Sequence, residues 1–297
     1  MKKIYISGCG GMLGDAFYKH FSKSYEIEAS DINLSETWLK YLDTRNFGEY
    51  KDAVFKFGPD TLIHLGAITS LEECDKDYNN AYLTNTLSVE NATLIANSLN
   101  IPIIYISTAG IFDGKKELYD DWDLPNPQGH YARSKYNGEI YVENNAIKYL
   151  ILRAGWMMGG GPQKDKKFVN KIIMQIKANK KNINVVNDKL GTPTYTFDFV
   201  KNTDLLLKKE IWGKYNLVCE GVSSRIEVAR EILKILNKDK TININEVDSS
   251  FFAKEYFSFR PSSERLINSK LNLRSLNIMR DWKICLKEYL LDEYEKL

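Results

Sequence analysis

Short apolar runs alternate with longer stretches of helical periodicity through the first half of the chain. Ile4-Tyr5-Ile6, Tyr25 to Ala29, Thr61 to Leu65, Pro102 to Ser107 and Tyr149 to Arg153 read as buried strands. Between them, Phe47 to Phe57, Asn79 to Leu99 and about Tyr131 to Asn145 carry apolar residues at helical spacing, and Gly58-Pro59 closes the first of these. Alternation of this kind predicts an α/β protein built on a Rossmann-type doubly wound parallel sheet.

After residue 155 the pattern loosens. Gly159-Gly160-Gly161-Pro162 breaks the chain, and helices are expected over Lys164 to Lys181, Asp198 to Lys208, Arg225 to Leu236 and Asp281 to Glu295. Short strands are expected near Asn182 to Val186 and Tyr215 to Val218. Residues 1–155 are therefore read as a dinucleotide-binding domain, and 156–297 mainly as a smaller α/β substrate-binding lobe with some segments returning to the main sheet. The glycine run predicts a mobile lid over the substrate.

Gly8-Cys9-Gly10-Gly11-Met12-Leu13-Gly14 follows the first strand directly and opens the first helix. Glycines at such a turn let the backbone approach a pyrophosphate closely, and the helix N-terminus (Met12, Leu13) offers free N–H groups to the anion. The second strand run ends at Asp31. An acid there accepts hydrogen bonds from the adenosine ribose and repels a 2′-phosphate, which favours NAD(H) over NADP(H). No Lys or Arg follows Asp31 before Lys40.

Tyr131 and Lys135 form the only Tyr-x-x-x-Lys of the chain. Four residues apart, they share one helix face. The helix starts after a long loop behind the fourth strand, a region at the carboxyl edge of a doubly wound sheet. A lysine ammonium beside a phenol favours the phenolate and is expected to lower the tyrosine pKa. Ser107 and Thr108 end the strand before that loop, where a hydroxyl can hold a substrate carbonyl.

These landmarks resemble the extended short-chain dehydrogenases, and among them the dTDP-4-dehydrorhamnose reductase group. The resemblance runs nearly end to end: Gly8-x-x-Gly11-x-x-Gly14, Pro59 to Ala67, Asn85-Thr86 with Asn91, Ser107-Thr108 with Phe112-Asp113-Gly114, and Pro125-Asn126-Pro127 leading into Tyr131-x-x-Ser134-Lys135-x-x-Gly138-Glu139. Leu152 to Trp156, Gly191 to Thr194 with Asp198, and Arg260-Pro261 with Arg265-Leu266 complete the series. It implies an NAD(P)H-dependent reductase of a nucleotide-activated 4-keto-6-deoxy sugar in surface polysaccharide synthesis. Tyr131 would protonate the carbonyl oxygen, Lys135 would bind the nicotinamide ribose, and Thr108 would orient the carbonyl. By the same resemblance Asp43 and Thr44 sit beside the adenine, Leu65, Gly66 and Ala67 line the pyrophosphate and ribose groove, and Asn85 supports the active-site helix; Asn85 and Ser107 are counted with the cofactor-binding residues. Trp156 and Arg260 are the candidates for substrate contacts, although Trp156 could equally be core packing and Arg260 a structural ion pair. A homodimer is the family expectation.

One departure stands out. The rhamnose-forming reductases usually carry Asp-Tyr where this chain has Ala109-Gly110, which puts the sugar identity in doubt. The same change argues against a 4,6-dehydratase. A nucleotide-sugar epimerase with tightly bound NAD and a non-catalytic dinucleotide-binding regulatory subunit are the alternatives this scaffold leaves open.

Composition changes this picture little. The chain has 297 residues, 43% hydrophobic and 27% charged, the profile of a globular protein. A net charge of +2 gives no reason to propose nucleic acid or an anionic membrane as partner. No apolar stretch approaches a membrane span and no signal-peptide core follows Met1, so a cytoplasmic protein is expected. Cys9, Cys74, Cys219 and Cys285 form no paired motif, and His20, His64 and His130 are isolated, so neither a disulfide nor a metal site is expected. Nor does any acidic cluster commit the chain to a bridging magnesium ion.

Overall fold

The computed structural model describes residues 1–294. β1 (Lys3–Ser7), β2 (Glu26–Asp31), β3 (Leu39–Tyr41), β4 (Thr61–His64), β5 (Ile103–Thr108), β6 (Tyr149–Ala154) and the edge strand Gly213–Asn216 form one parallel sheet. Across the sheet the order is Gly213–Asn216, β6, β5, β4, β1, β2, β3. The chain thus begins in the middle, builds outward to β3, then returns beside β1 and builds the other way. The reversal between β1 and β4 opens a crevice at their carboxyl ends, where a doubly wound sheet binds ligands.

Side-chain alternation sorts the layers. Ile4 and Ile6 face a large apolar cluster with Phe17 and Phe21 of α1 (Met12–Phe21), whereas Tyr5 faces a second one with Val54 of α2 (Phe47–Phe57), Val89 and Ile95 of α5 (Ser88–Ser98), and Tyr105. The helix expected over Asn79 to Leu99 is interrupted. It is α4 (Tyr78–Tyr82), a π-helical turn at Leu83–Leu87, and then α5, while α3 (Leu71–Lys76) precedes it. The π turn carries Asn85, which ties this segment to the loop after β4.

β3 escapes the sequence reading because it is three residues long and two of them are exposed. The strand expected near Tyr215 to Val218 starts and ends earlier, at Gly213–Asn216, and returns to the main sheet beside β6. The lobe's own pairings are short. β7 (Trp156–Met158) runs parallel to Pro193–Tyr195, Asn182–Val186 pairs with Asn243–Val247, and Leu190–Gly191 lies between Ser223–Ser224 and Ser263–Glu264. The lysine-rich helix shrinks to Phe168–Lys177, and the C-terminal helix is Trp282–Tyr294; Glu295 lies outside the described residues. Nor does the glycine run hang free as a lid. Gly159, Gly160 and Gly161 all take positive φ, and an added Cβ would press on Thr196, on Lys164 and Met12, and on Glu293, respectively.

Candidate active site

The crevice between β1 and β4 is floored by backbone. Gly8 has φ +70°, and a Cβ there would lie 2.2 Å from the Gly66 nitrogen, so the two loops touch main chain to main chain. Gly14 packs as tightly behind the turn, its virtual Cβ 2.2 Å from the Cys9 carbonyl. At Gly11 a Cβ would meet nothing within 4 Å. Gly11 caps α1 without a side-chain hydrogen bond, which leaves the N–H groups of Met12, Leu13 and Gly14 without helical partners. Asp31 is drawn into the same turn: the Gly10 N–H donates to its Oδ2 and the Asn33 N–H to its Oδ1, each at 2.8 Å.

On the other wall Leu65, Gly66 and Ala67 follow β4, with the Leu65 N–H donating to the Ser7 carbonyl at 2.8 Å. Thr44 faces Gly66, its Oγ1 3.4 Å from the virtual Cβ. Asp43 beside it is held by the Arg45 guanidinium, which keeps its carboxyl below the usual range. Asn85 is a positioning residue. Its amide closes a reciprocal pair with the Ile68 backbone, at 2.8 and 3.0 Å, and donates to Ser134 Oγ at 3.1 Å, so it locks the loop after β4 to α6 (Gly129–Asn145).

α6 presents Tyr131 and Lys135 toward the crevice. It sits close to β5 because Gly138 leaves room, an added Cβ falling 2.9 Å from the Tyr105 hydroxyl. That hydroxyl donates to the Lys135 carbonyl at 2.8 Å, and the Lys135 Nζ lies 4.4 Å from the Tyr105 ring centre. Lys135 is 5% exposed and makes no ion pair or side-chain hydrogen bond among the described residues. Burial drives its ammonium down to about 7. Burial also pushes the Tyr131 phenol up to about 12, opposed by the Thr108 hydroxyl and reinforced by the charge of Glu264. The lysine was expected to lower the phenol's pKa; in the protein alone, desolvation governs both groups. Ser107, one residue before Thr108, turns away from the groove. Its Oγ donates to Glu139 Oε2 at 2.5 Å, within a buried pair of Glu139 and Arg153 at 2.6 Å.

Tyr131 opens onto a cavity walled by Gly110, His130, Ser258, Pro261 and Glu264. Trp156 stands behind that wall. Its ring packs on Gly191, the Arg225 guanidinium carbon lies 3.5 Å from its centre, and its Nε1 donates to Glu264 Oε2 at 2.8 Å. Arg260 is engaged in a bidentate pair with Glu72 of α3, at 2.6 and 3.0 Å, which fastens the segment before Ser263–Glu264 to α3. Two residues here escaped the sequence reading. Arg225, read only as a helix start, lies among Lys167, Arg260 and Glu264, and burial lowers its guanidinium to about 10. Glu264 falls inside the Arg260 to Leu266 landmark, where an acid between two arginines was the available signal.

A glycine turn at the switch point of a parallel sheet, with a buried lysine and a tyrosine on the helix behind β5, defines an α/β oxidoreductase of the extended short-chain dehydrogenase/reductase type. Residues 1–295 match the family described as RmlD substrate binding domain, and the chain belongs to that family. Among curated proteins it is similar to the spore coat polysaccharide biosynthesis protein SpsK of Bacillus subtilis, at 27% identity over 98% of this chain and 97% of the relative. Among solved structures it resembles a dTDP-4-dehydrorhamnose reductase from Clostridium acetobutylicum, with a TM-score of 0.88 and 30% identity over 97% of this chain and 98% of that one. The dTDP-4-dehydrorhamnose reductase of Bacillus anthracis, solved in complex with NADP, gives a TM-score of 0.88 at 27% identity over 98% and 99%.

Proposed function

We propose that the protein is an NAD(P)H-dependent reductase of a nucleotide-activated 4-keto-6-deoxy sugar, similar to dTDP-4-dehydrorhamnose reductase, acting as a cytoplasmic homodimer in surface polysaccharide synthesis. One observation carries the reading. Tyr131, which opens onto the cavity, Thr108, whose hydroxyl acts on its phenol, and the buried Lys135, unpaired among the described residues, stand together beside a crevice whose glycine turn is open only at Gly11. The polysaccharide role is supported by the relative named for spore coat polysaccharide synthesis. No helix among the described residues is long and apolar enough to cross a membrane.

The residues fit a nicotinamide dinucleotide. The free amides of Met12, Leu13 and Gly14 suit its pyrophosphate, Asp31 its adenosine ribose, Thr44 and Asp43 the adenine end, and Lys135 the nicotinamide ribose. When bound, the cofactor supplies the hydride for the carbonyl carbon. Thr108 holds the carbonyl oxygen by donating its hydroxyl hydrogen, and Tyr131 transfers its phenolic proton to that oxygen. The Lys135 ammonium stabilises the phenolate left behind, which offsets the burial that holds the free phenol near 12. Arg225 and Lys167, with Arg260, supply positive charge on the substrate side for a diphosphate. Asp31 favours NADH, since both its oxygens already accept amides of the turn that a 2′-phosphate would approach.

The test is oxidation of NADH and of NADPH with a panel of nucleotide-linked 4-keto-6-deoxyhexoses generated in place by a dehydratase. Stoichiometric oxidation with one sugar is expected, faster with NADH. Tyr131→Phe should lower kcat about 10²–10⁴-fold without loss of cofactor affinity. Turnover at the parent rate by this variant overturns the proton-donor role. Cofactor binding with silence across the panel favours an epimerase or a regulatory subunit.

A further inference from the structure

Glu264 is built into the cavity wall with more support than an incidental surface acid would have. Its backbone belongs to the Ser263–Glu264 strand, paired in parallel with Leu190–Gly191, which also pairs with Ser223–Ser224. Its neighbours are tied down on both sides: Ser263 Oγ donates to the Glu117 carbonyl at 2.6 Å, and the buried Arg265 donates through Nε to the Ser223 carbonyl at 3.1 Å. The carboxylate is aimed as well. Oε2 accepts from the Trp156 indole at 2.8 Å, and that ring is clamped between Gly191 and Arg225.

The other oxygen, Oε1, accepts no hydrogen bond among the described residues. It lies over Gly110, 3.5 Å from where a Cβ on that residue would be. Gly110 donates its N–H to Thr108 Oγ1 at 3.1 Å, so Oε1 stands beside the group that holds the substrate carbonyl. It lines the same cavity as Tyr131, and both residues are half-buried. The carboxylate, reaching in from the Ser263–Glu264 strand, therefore borders the space that a side chain at 110 would enter.

We propose that Glu264 is a sugar-reading residue, its Oε1 accepting a hydrogen bond from the hexose hydroxyl vicinal to the keto carbon. An ionised carboxylate offers acceptors only, so its partner must be a donor. A 4-keto-6-deoxyhexose linked through carbon 1 to a diphosphate has hydroxyls only at carbons 2 and 3, and carbon 3 adjoins the carbonyl. A carbonyl oxygen held by Thr108 and Tyr131 brings that hydroxyl toward Gly110. Without the hydroxyl, a half-buried charge would lose both water and partner, so the site rejects an analogue lacking the donor. The identity of the sugar rests on the reductase reading; the role of the carboxylate rests on the geometry.

The test measures binding of dTDP-6-deoxyglucose, of its 3-deoxy analogue and of dTDP alone to the cofactor-loaded protein, comparing the parent with Glu264→Gln. Glutamine can still accept the Trp156 N–H but presents an NH₂ donor toward Gly110, so a merely structural role survives the change. The substitution should weaken dTDP-6-deoxyglucose about 10–100-fold. It should leave dTDP alone unchanged, and the parent's preference for the sugar over its 3-deoxy analogue should vanish. Parent-like affinity of the variant for dTDP-6-deoxyglucose, or equal weakening of all three ligands, overturns the proposal. Cofactor oxidation by the parent with a 4-keto sugar is read in parallel. Silence there overturns the reductase reading, while the affinity pattern still decides the role of Glu264.

Discussion

His64 lies at the end of β4, directly beneath the crevice, 1% exposed. Ser7 and Tyr50 bond to its Nδ1 at 3.0 and 3.2 Å, and Ser88 to its Nε2 at 3.0 Å. Burial, aided by the nearby Lys135 charge, lowers its pKa from 6.5 to about 3. Between these values the unfolded chain binds a proton that the folded protein refuses, so stability rises with pH across the window and is lost as pH falls through it. Urea midpoints measured at about pH 5 and about pH 7.5 should differ in the parent, and His64→Gln should narrow that difference. An unchanged difference would mean that other groups set the acid limb. The same scale shows what the sequence makes legible. Gly11, Tyr131 and Lys135 declare themselves through spacing within one turn or one helix. Trp156 and Glu264 meet across 108 positions, and no local pattern announces that pair.

Among the elements, the β1–α1 turn separates glycines that the packing requires from one, Gly11, that the packing leaves open. Gly14→Ala drives a Cβ to 2.2 Å from the Cys9 carbonyl, and Gly8→Ala adds a left-handed φ of +70° to a 2.2 Å approach to Gly66. Each should destabilise the protein by about 1–3 kcal/mol or more in chemical denaturation. Gly11→Ala has open space around it and should leave stability within about 0.5 kcal/mol while weakening dinucleotide binding in a fluorescence titration. Loss of stability at Gly11 with unaltered binding would contradict the reading of this turn. Element boundaries follow the same logic as the residues. α2 runs from Phe47 to Phe57 as expected because Asn46 caps its start and Gly58, with φ +63°, ends it, both local signals. The two- and three-residue strands of the lobe exist only because distant partners meet them, as at Leu190–Gly191 between 223–224 and 263–264. The sequence could place helices there but not these pairings.

Taken as a whole, the molecule shares its largest apolar cluster between the two halves of the chain. Ile4, Ile6, Phe17 and Phe21 pack in one cluster with Phe199 and Val200 of the helix Thr196–Lys208 and with Tyr289 and Leu290 near the C-terminus. His20 and Tyr25 both bond to Asp204 on that helix, at 2.9 and 2.8 Å. The alternating first half of the sequence announced the sheet, but not that later helices would complete its core. The strap between Arg260 and Glu72 spans 188 positions, its two residues next in sequence to Pro261 and Leu71 of the cavity wall. On the proposed function, an arriving diphosphate meets Arg225, unengaged by any acid among the described residues, but to reach Arg260 it must win that guanidinium from a carboxylate. Its measured affinity is then the margin between two competing anions, and each binding event unbuckles the segments that the strap joins. Removing the acid should therefore improve the grip: Glu72→Gln is expected to tighten binding of dTDP several-fold in calorimetry, and weaker binding would show that the strap shapes the pocket instead of guarding it. On that reading, a protein that holds its own anion beside the site sets a floor on what it admits, turning away weakly charged metabolites before any sugar contact is made.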